Sequence, residues 1–121
     1  ADQEGVKHIF YPSIPYERNE FADSDNHYNC PIVTSYPENI KNNIDAIVNG
    51  EVDFMHPFLS FASEDTISYR LVEELGKKFD ISDQEIQSAV HAAWEELVAC
   101  REDMRRKGEE VIKFLDETGN R

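Results

Sequence analysis

At 121 residues the chain has the length of one domain with a modest core, short of a multi-domain enzyme. Its 25 acidic against 12 basic residues give a net charge of -13, which repels a phosphate backbone and excludes nucleic acid as a natural partner. No apolar run approaches the roughly 18 to 20 residues of a membrane span, the first residues lack the pattern of a signal peptide, and two cysteines make no disulfide framework, so a cytoplasmic protein with reduced thiols is expected.

Val6 to Tyr11, VKHIFY, is an apolar run of β-formers stopped by Pro12 and marks a first strand. From Pro12 to Pro31 the chain is dense in Pro, Asn, Asp, Ser and Tyr and shows neither period, which predicts a long loop of the kind that carries function. Ser35 followed by Glu38 has the pattern of a capping box, with Pro37 in the first turn. A helix from Tyr36 to Val48, closed by Asn49-Gly50, is predicted there. Val52 to Phe58, VDFMHPF, then reads as a second strand ending at Pro57. A strand, a helical crossover and a strand predict a βαβ unit with parallel pairing.

Ser63 is placed to cap a helix running through Thr66 to Phe79, with Ile67, Leu71, Val72 and Leu75 on one face. Ser82 and Glu85 form a second capping box. After it Ile86, Val90, Trp94, Leu97, Met104, Val111 and Leu115 keep a helical period almost to Gly119, a C′ residue of the expected type. One helix of about 35 residues results, longer than the globular norm, with Gly108 the place where it would break. Interleaved acids and bases from Glu102 to Glu110 read as a solvated face of neighbouring ion pairs. The expected fold is α/β: a small parallel βαβ sheet over residues 1–61 and a helical part over 62–121. The two parts form a single domain, expected to be a piece of a longer protein. The apolar stripe is longer than a small domain covers, which points to self-association through the long helix.

Few constellations that carry chemistry survive inspection. The five glycines are too far apart for either nucleotide-binding fingerprint. Asp23 and Asp25 suggest a calcium loop, but its sixth position would be Tyr28 and its twelfth Thr34, so the match fails. His27 and Cys30 form H-x-x-C, half of a zinc site with no second pair to complete it. His8, His56 and His91 stand singly within or at the ends of elements, as structural histidines do. Cys30, directly before Pro31, has several readings on residue physics. It is a buried inert thiol, or a nucleophile lowered in pKa by a helix N-terminus, or a metal ligand. Thiolate ligands of iron-sulfur clusters also precede proline or stand at helix starts, where N–H groups and the helix dipole balance the cluster's charge. Cys100, within the long helix, reads as structural.

The segment Ile9 to Pro37, IFYPSIPYERNEFADSDNHYNCPIVTSYP, resembles the CoA-substrate-specific enzyme activase family, which is related to the 2-hydroxyacyl-CoA dehydratase and benzoyl-CoA reductase systems of anaerobic bacteria. The elements FYP, IPYE, YNCPIVTSYPE and HPF occur in the family's order, and VDFMHPFLSF, AAWEE and RRKGEEV extend the likeness over essentially the whole chain. The resemblance implies a longer parent protein. Some members carry ATPase domains of the sugar-kinase and actin type that deliver low-potential electrons, together with a region similar to cluster-bearing dehydratase subunits, to which this chain would correspond.

It further implies that Cys30 is one thiolate ligand of a 4Fe-4S cluster in anaerobic acyl-CoA metabolism, with His27, Tyr28 and Asn29 around it. The other ligands would come from outside the chain, including a CYP element upstream of Ile9. The cluster is therefore not expected to be complete here, nor the chain alone to be catalytic. The implied partners are the remaining domains of the parent or dehydratase-like subunits. The alternative is a non-catalytic interaction domain in which the helix of Trp94 and Leu97 docks onto another domain and Cys30 is merely buried.

Overall fold

A computed structural model describes residues 5–19, 21 and 23–119. Two extended segments run parallel and pair as two short ladders. β1 (His8–Phe10) pairs with β3 (Asp53–Met55), setting His8 against Asp53 and Phe10 against Met55. β2 (Ser13–Tyr16) pairs with β4 (Phe58–Ser60), setting Ser13 against Phe58 and, after a register shift, Tyr16 against Ser60. Prolines cause the division, because neither Pro12 nor Pro57 has an N–H to donate to a ladder. Alignment nonetheless carries across the gap: the Tyr11 N–H donates to the Met55 carbonyl at 2.8 Å and the Ser13 N–H to the Pro57 carbonyl at 2.9 Å.

The protein is thus mixed α/β with parallel pairing, but a pair of two-stranded ladders takes the place of the single βαβ sheet expected. Pro57 does not end the second extended segment, which resumes at Phe58. β2 lies inside the stretch expected to be a loop. Pairing with β4, not the β-propensity of Ser-Ile-Pro-Tyr, makes it a strand.

α1 (Pro31–Asn43) begins well before the predicted Tyr36. Pro31 occupies the first helical position, where a missing N–H costs nothing, and Cys30 is the N-cap. The Ser35–Glu38 box is not used as a cap: the Ser35 hydroxyl donates to the Ile32 carbonyl at 2.9 Å, and Pro37 falls inside the helix, fully buried. The helix stops at Asn43, Ile44 takes an extended conformation, and α2 (Asp45–Val48) follows. Gly50, at φ 74, turns the chain into β3, a conformation only glycine adopts without strain.

α3 (Glu64–Leu71) starts as its sequence directs, with the Ser63 hydroxyl accepting from the Thr66 N–H at 3.3 Å. It runs on through a π-turn, Val72–Gly76, and the short α4 (Lys77–Phe79), and ends at Asp80 in the left-handed region. α5 (Asp83–Thr118) spans 36 residues without a break at Gly108. Ser82 caps it by accepting from the Glu85 N–H, and Gly119 closes it at φ 67.

The core is small. Ile67 from α3 packs with Ile86 and Val90 from α5, flanked by Phe61, Leu71, Leu75 and Trp94. Leu59 within β4 and Val52 just before β3 are buried as well. α5 therefore commits its first turns to this core, whereas Met104 and Ile112 further along are 62% and 61% exposed.

Asp53 ties the layers together. Its carboxylate lies 2.8 Å from His8 Nδ1 on β1 and also contacts Lys78 Nζ on α4. Lys78 foremost, and then His8, holds the Asp53 carboxyl below its ordinary range. Because the folded value is the lower one, the stabilisation is present above the unfolded value of about 3.9 and is lost as pH falls through the folded value. Asp53→Asn is therefore expected to lower the urea midpoint at neutral pH, with the gap from wild type closing as the medium is taken below about pH 4. A gap that stays constant through that range would show that the ion pairs carry no stability.

Candidate functional site

The surroundings of Cys30 are built on β2. Beyond Tyr16 the chain leaves the ladder and returns antiparallel to it, with Tyr16 bridged to Tyr28. The Glu17 N–H donates to the His27 carbonyl at 2.9 Å, and the Asn29 N–H donates to the Pro15 carbonyl at 2.8 Å. Pro15 cannot donate, but its carbonyl still receives the returning strand. Rings close the bridge: Tyr16 and Tyr28 stand 4.9 Å apart between centroids and Tyr16 and His27 5.9 Å. A hydrogen bond to Tyr28 pushes the Tyr16 phenol above its ordinary pKa.

Asn29 joins this bridge to the cysteine. Its amide nitrogen donates to Glu17 Oε1 at 3.1 Å, and its Oδ1 accepts the Cys30 N–H at 3.1 Å. Cys30 then opens α1. Its carbonyl accepts from the Thr34 N–H at 3.1 Å and from Thr34 Oγ1 at 3.2 Å, while the same hydroxyl lies 3.4 Å from the Ile14 carbonyl on β2. The first turn of α1 is thereby tethered to the strand that also holds the returning segment.

The thiol itself is exposed. This corrects the reading of Cys30 as a buried thiol: α1 buries Pro37, and its N-cap is left at the rim. Cys100, expected to be structural, is exposed as well, on α5. α1 also starts differently from the other long helices. α3 and α5 open with a serine cap and acidic residues in the first turn, whereas α1 has neither a side-chain cap nor an acidic first turn. The positive end of the α1 dipole is left for Cys30 and whatever approaches it.

Of the residues expected around the cysteine, Asn29 bonds to its backbone, while His27 and Tyr28 engage Tyr16. The H-x-x-C pair gains no further ligands: among the described residues no group of three or more His, Cys, Asp or Glu side chains is placed to hold a metal ion. The remaining histidines each meet a carboxylate from another element. His8 lies 2.8 Å from Asp53, His56 2.8 Å from Glu38, and His91 2.9 Å from Glu64. Glu64 raises the His91 pKa, with a smaller push from Glu95. The Glu17–Asn29 clamp and the Thr34 tie escaped the sequence reading. A signal for the helix start was present, since proline after an N-cap residue is a first-position signature.

A second feature lies between the strands and the helices. Phe10, Leu59, Phe61, Leu75, Trp94 and Leu97 line an open apolar groove of about 490 Å³. No helix among the described residues is long and apolar enough to cross a membrane.

Taken together these features define a small α/β domain that presents a thiol at a helix start on one part of its surface and an apolar groove on another. The family model described as the CoA enzyme activase uncharacterised domain matches residues 1–121, and the chain belongs to that family. No curated protein and no solved structure matches it.

Exposure of Cys30 has a direct chemical consequence. In the native chain both thiols are expected to be alkylated by iodoacetamide without denaturant, and Cys30→Ser to remove one of the two equivalents. A Cys30 that reacts only after unfolding would contradict the placement.

Proposed function

We propose that this domain serves a CoA enzyme activase as a non-catalytic module of an iron-sulfur electron-transfer assembly in anaerobic acyl-CoA metabolism, contributing Cys30 as one thiolate of a 4Fe-4S cluster. The observation that carries the reading is the presentation of the cysteine: an exposed thiol at the N-cap of a 13-residue helix whose first turn has no competing anion. N–H groups and dipole at such a start suit a negatively charged cluster. Tethering of Asn29, Cys30 and Thr34 to β2 holds the ligand in one orientation, the service that surrounding hydrogen bonds perform for a metal ligand.

The described residues do not make a cluster site by themselves, since their donor set near Cys30 is one thiol. The other thiolates belong to the rest of a longer parent or to dehydratase-like subunits. No electron-transfer step is assigned to this chain's own residues. Its part is to hold one ligand and to dock.

The test is anaerobic reconstitution of the longer parent with iron and sulfide, comparing wild type with Cys30→Ala. Loss of the cluster's visible absorbance in the variant, with far-ultraviolet circular dichroism unchanged, is the expected result. Equal absorbance in both proteins would overturn the ligand role.

A further inference from the structure

The two edges of the paired strands are unlike. Along β3 and β4 every second residue bonds to the first segment: the Asp53 N–H donates to the Lys7 carbonyl at 2.9 Å, the Met55 and Pro57 carbonyls accept from Tyr11 and Ser13, and the Phe61 N–H donates to the Tyr16 carbonyl at 2.9 Å. The residues between them, Phe54, His56, Phe58 and Ser60, therefore turn their N–H and C=O groups to the other side. Among the described residues no hydrogen bond reaches that outward row.

The opposite edge is closed. Pro12 stands in its outward phase, between the inward Tyr11 and Ser13, and has no N–H to offer. Further along, the Pro15 carbonyl and the Glu17 N–H are taken by Asn29 and His27, and the Ile14 carbonyl by the Thr34 hydroxyl. Pro57 has the reverse phase. Its carbonyl accepts from Ser13, so the N–H it lacks is missing from the inner ladder and the outward row keeps every donor.

Folded chains guard an exposed edge with charge, proline or a bulge. Here none of these stands on the outward row: Phe54 to Ser63 include no Lys, Arg, Asp or Glu, and the extra residue of the β2–β4 register shift lies on β2. Phe58, in the middle of the row, is 56% exposed. Donors and acceptors that repeat every two residues are the complement of another extended strand.

The row is itself such a strand. Antiparallel pairing about Pro57 uses all four outward residues, setting Phe54 level with Ser60 and His56 level with Phe58 of the second copy. The Phe54 and His56 rings already stack with centroids 5.7 Å apart, and Phe58 of the second copy extends that row as a cross-strand aromatic pair. In a chain of net charge -13, this stretch lets two backbones meet without setting carboxylates opposite one another. Two two-stranded ladders become one sheet of four strands, a usual size. The closed edges lie outermost in that sheet, so assembly stops at two copies.

We propose that the chain forms a closed two-fold dimer by antiparallel pairing of residues 54–60 of two copies, centred on Pro57. The pairing does not depend on the role proposed for Cys30.

The test combines sedimentation of the 121-residue chain over two decades of concentration with amide exchange at both ends of that range, read by NMR. A dimer that grows with concentration is expected. Where about nine-tenths of the chain is dimeric, the Phe54, His56, Phe58 and Ser60 amides should exchange about tenfold more slowly than in the dilute chain. The Met55 and Leu59 amides, which face β1 and β2, should be slow at both concentrations. Phe58→Lys, which puts a charge at an exposed position of the row, is expected to give a monomer with Met55 and Leu59 still protected. Should the lysine unfold the chain, loss of that protection reveals it, and the wild-type exchange decides by itself. A strictly monomeric wild type would leave the edge to a strand of another protein and would overturn the proposal. So would a dimer whose outward amides exchange as fast as the monomer's, or a dimer that survives Phe58→Lys.

Discussion

The parallel alignment of residues 8–16 with residues 53–60 is the constraint on which the rest of the structure depends. It is an interrupted alignment, with Pro12 and Pro57 each removing a donor, and it survives because the Tyr11 and Ser13 N–H groups bond to the carbonyls of Met55 and Pro57. Were β2 not held against β4, nothing described here would fix the returning segment at Tyr28, which is bridged to Tyr16. The Asn29 and Thr34 contacts reach the backbone of the same strand. Two proline-rich stretches that look like breaks in the chain thus form the scaffold on which a cysteine is set.

From that scaffold the chemistry of Cys30 follows in short steps. Proline at the first helical position fixes where α1 begins, and the residue before it becomes the N-cap. The side chain of an N-cap faces the unpaired N–H groups of the first turn. Where α3 and α5 fill that place with serine oxygens, α1 has a cysteine as its N-cap residue and no side-chain cap bond. Sulfur is a weak acceptor for an amide but, as thiolate, a strong ligand for iron. The exchange of oxygen for sulfur trades capping stability for a potential ligand, which is the physical content of the reading that places this domain in an iron-sulfur assembly.

Local signals in the sequence were legible and tertiary ones were not. Ser63 and Ser82 cap their helices as their spacing indicates, Gly119 closes α5, and the helical period from Ile86 to Leu115 gives a helix of nearly the expected length. Each of these rests on interactions within a few residues. β2 escaped detection because Ser-Ile-Pro-Tyr has little intrinsic strand character and becomes a strand by pairing with residues far along the chain. The start of α1 was misplaced because two local signals competed. Pro31 outweighed the Ser35–Glu38 box, whose serine turned to the Ile32 carbonyl instead. Whether Cys30 was buried or exposed could not be read at all, since it depends on which face of α1 meets β2.

The role proposed for Cys30 depends on where α1 begins, because a helix starting at Tyr36 would leave Cys30 in a loop without a dipole beside it. Backbone Cα chemical shifts of residues 31–36, with hydrogen exchange at the Thr34 amide, measure this directly. Helical shifts from Ile32 onward are expected, with a protected Thr34 amide bonded to the Cys30 carbonyl. Coil shifts through Ser35 with a rapidly exchanging Thr34 amide would contradict that role.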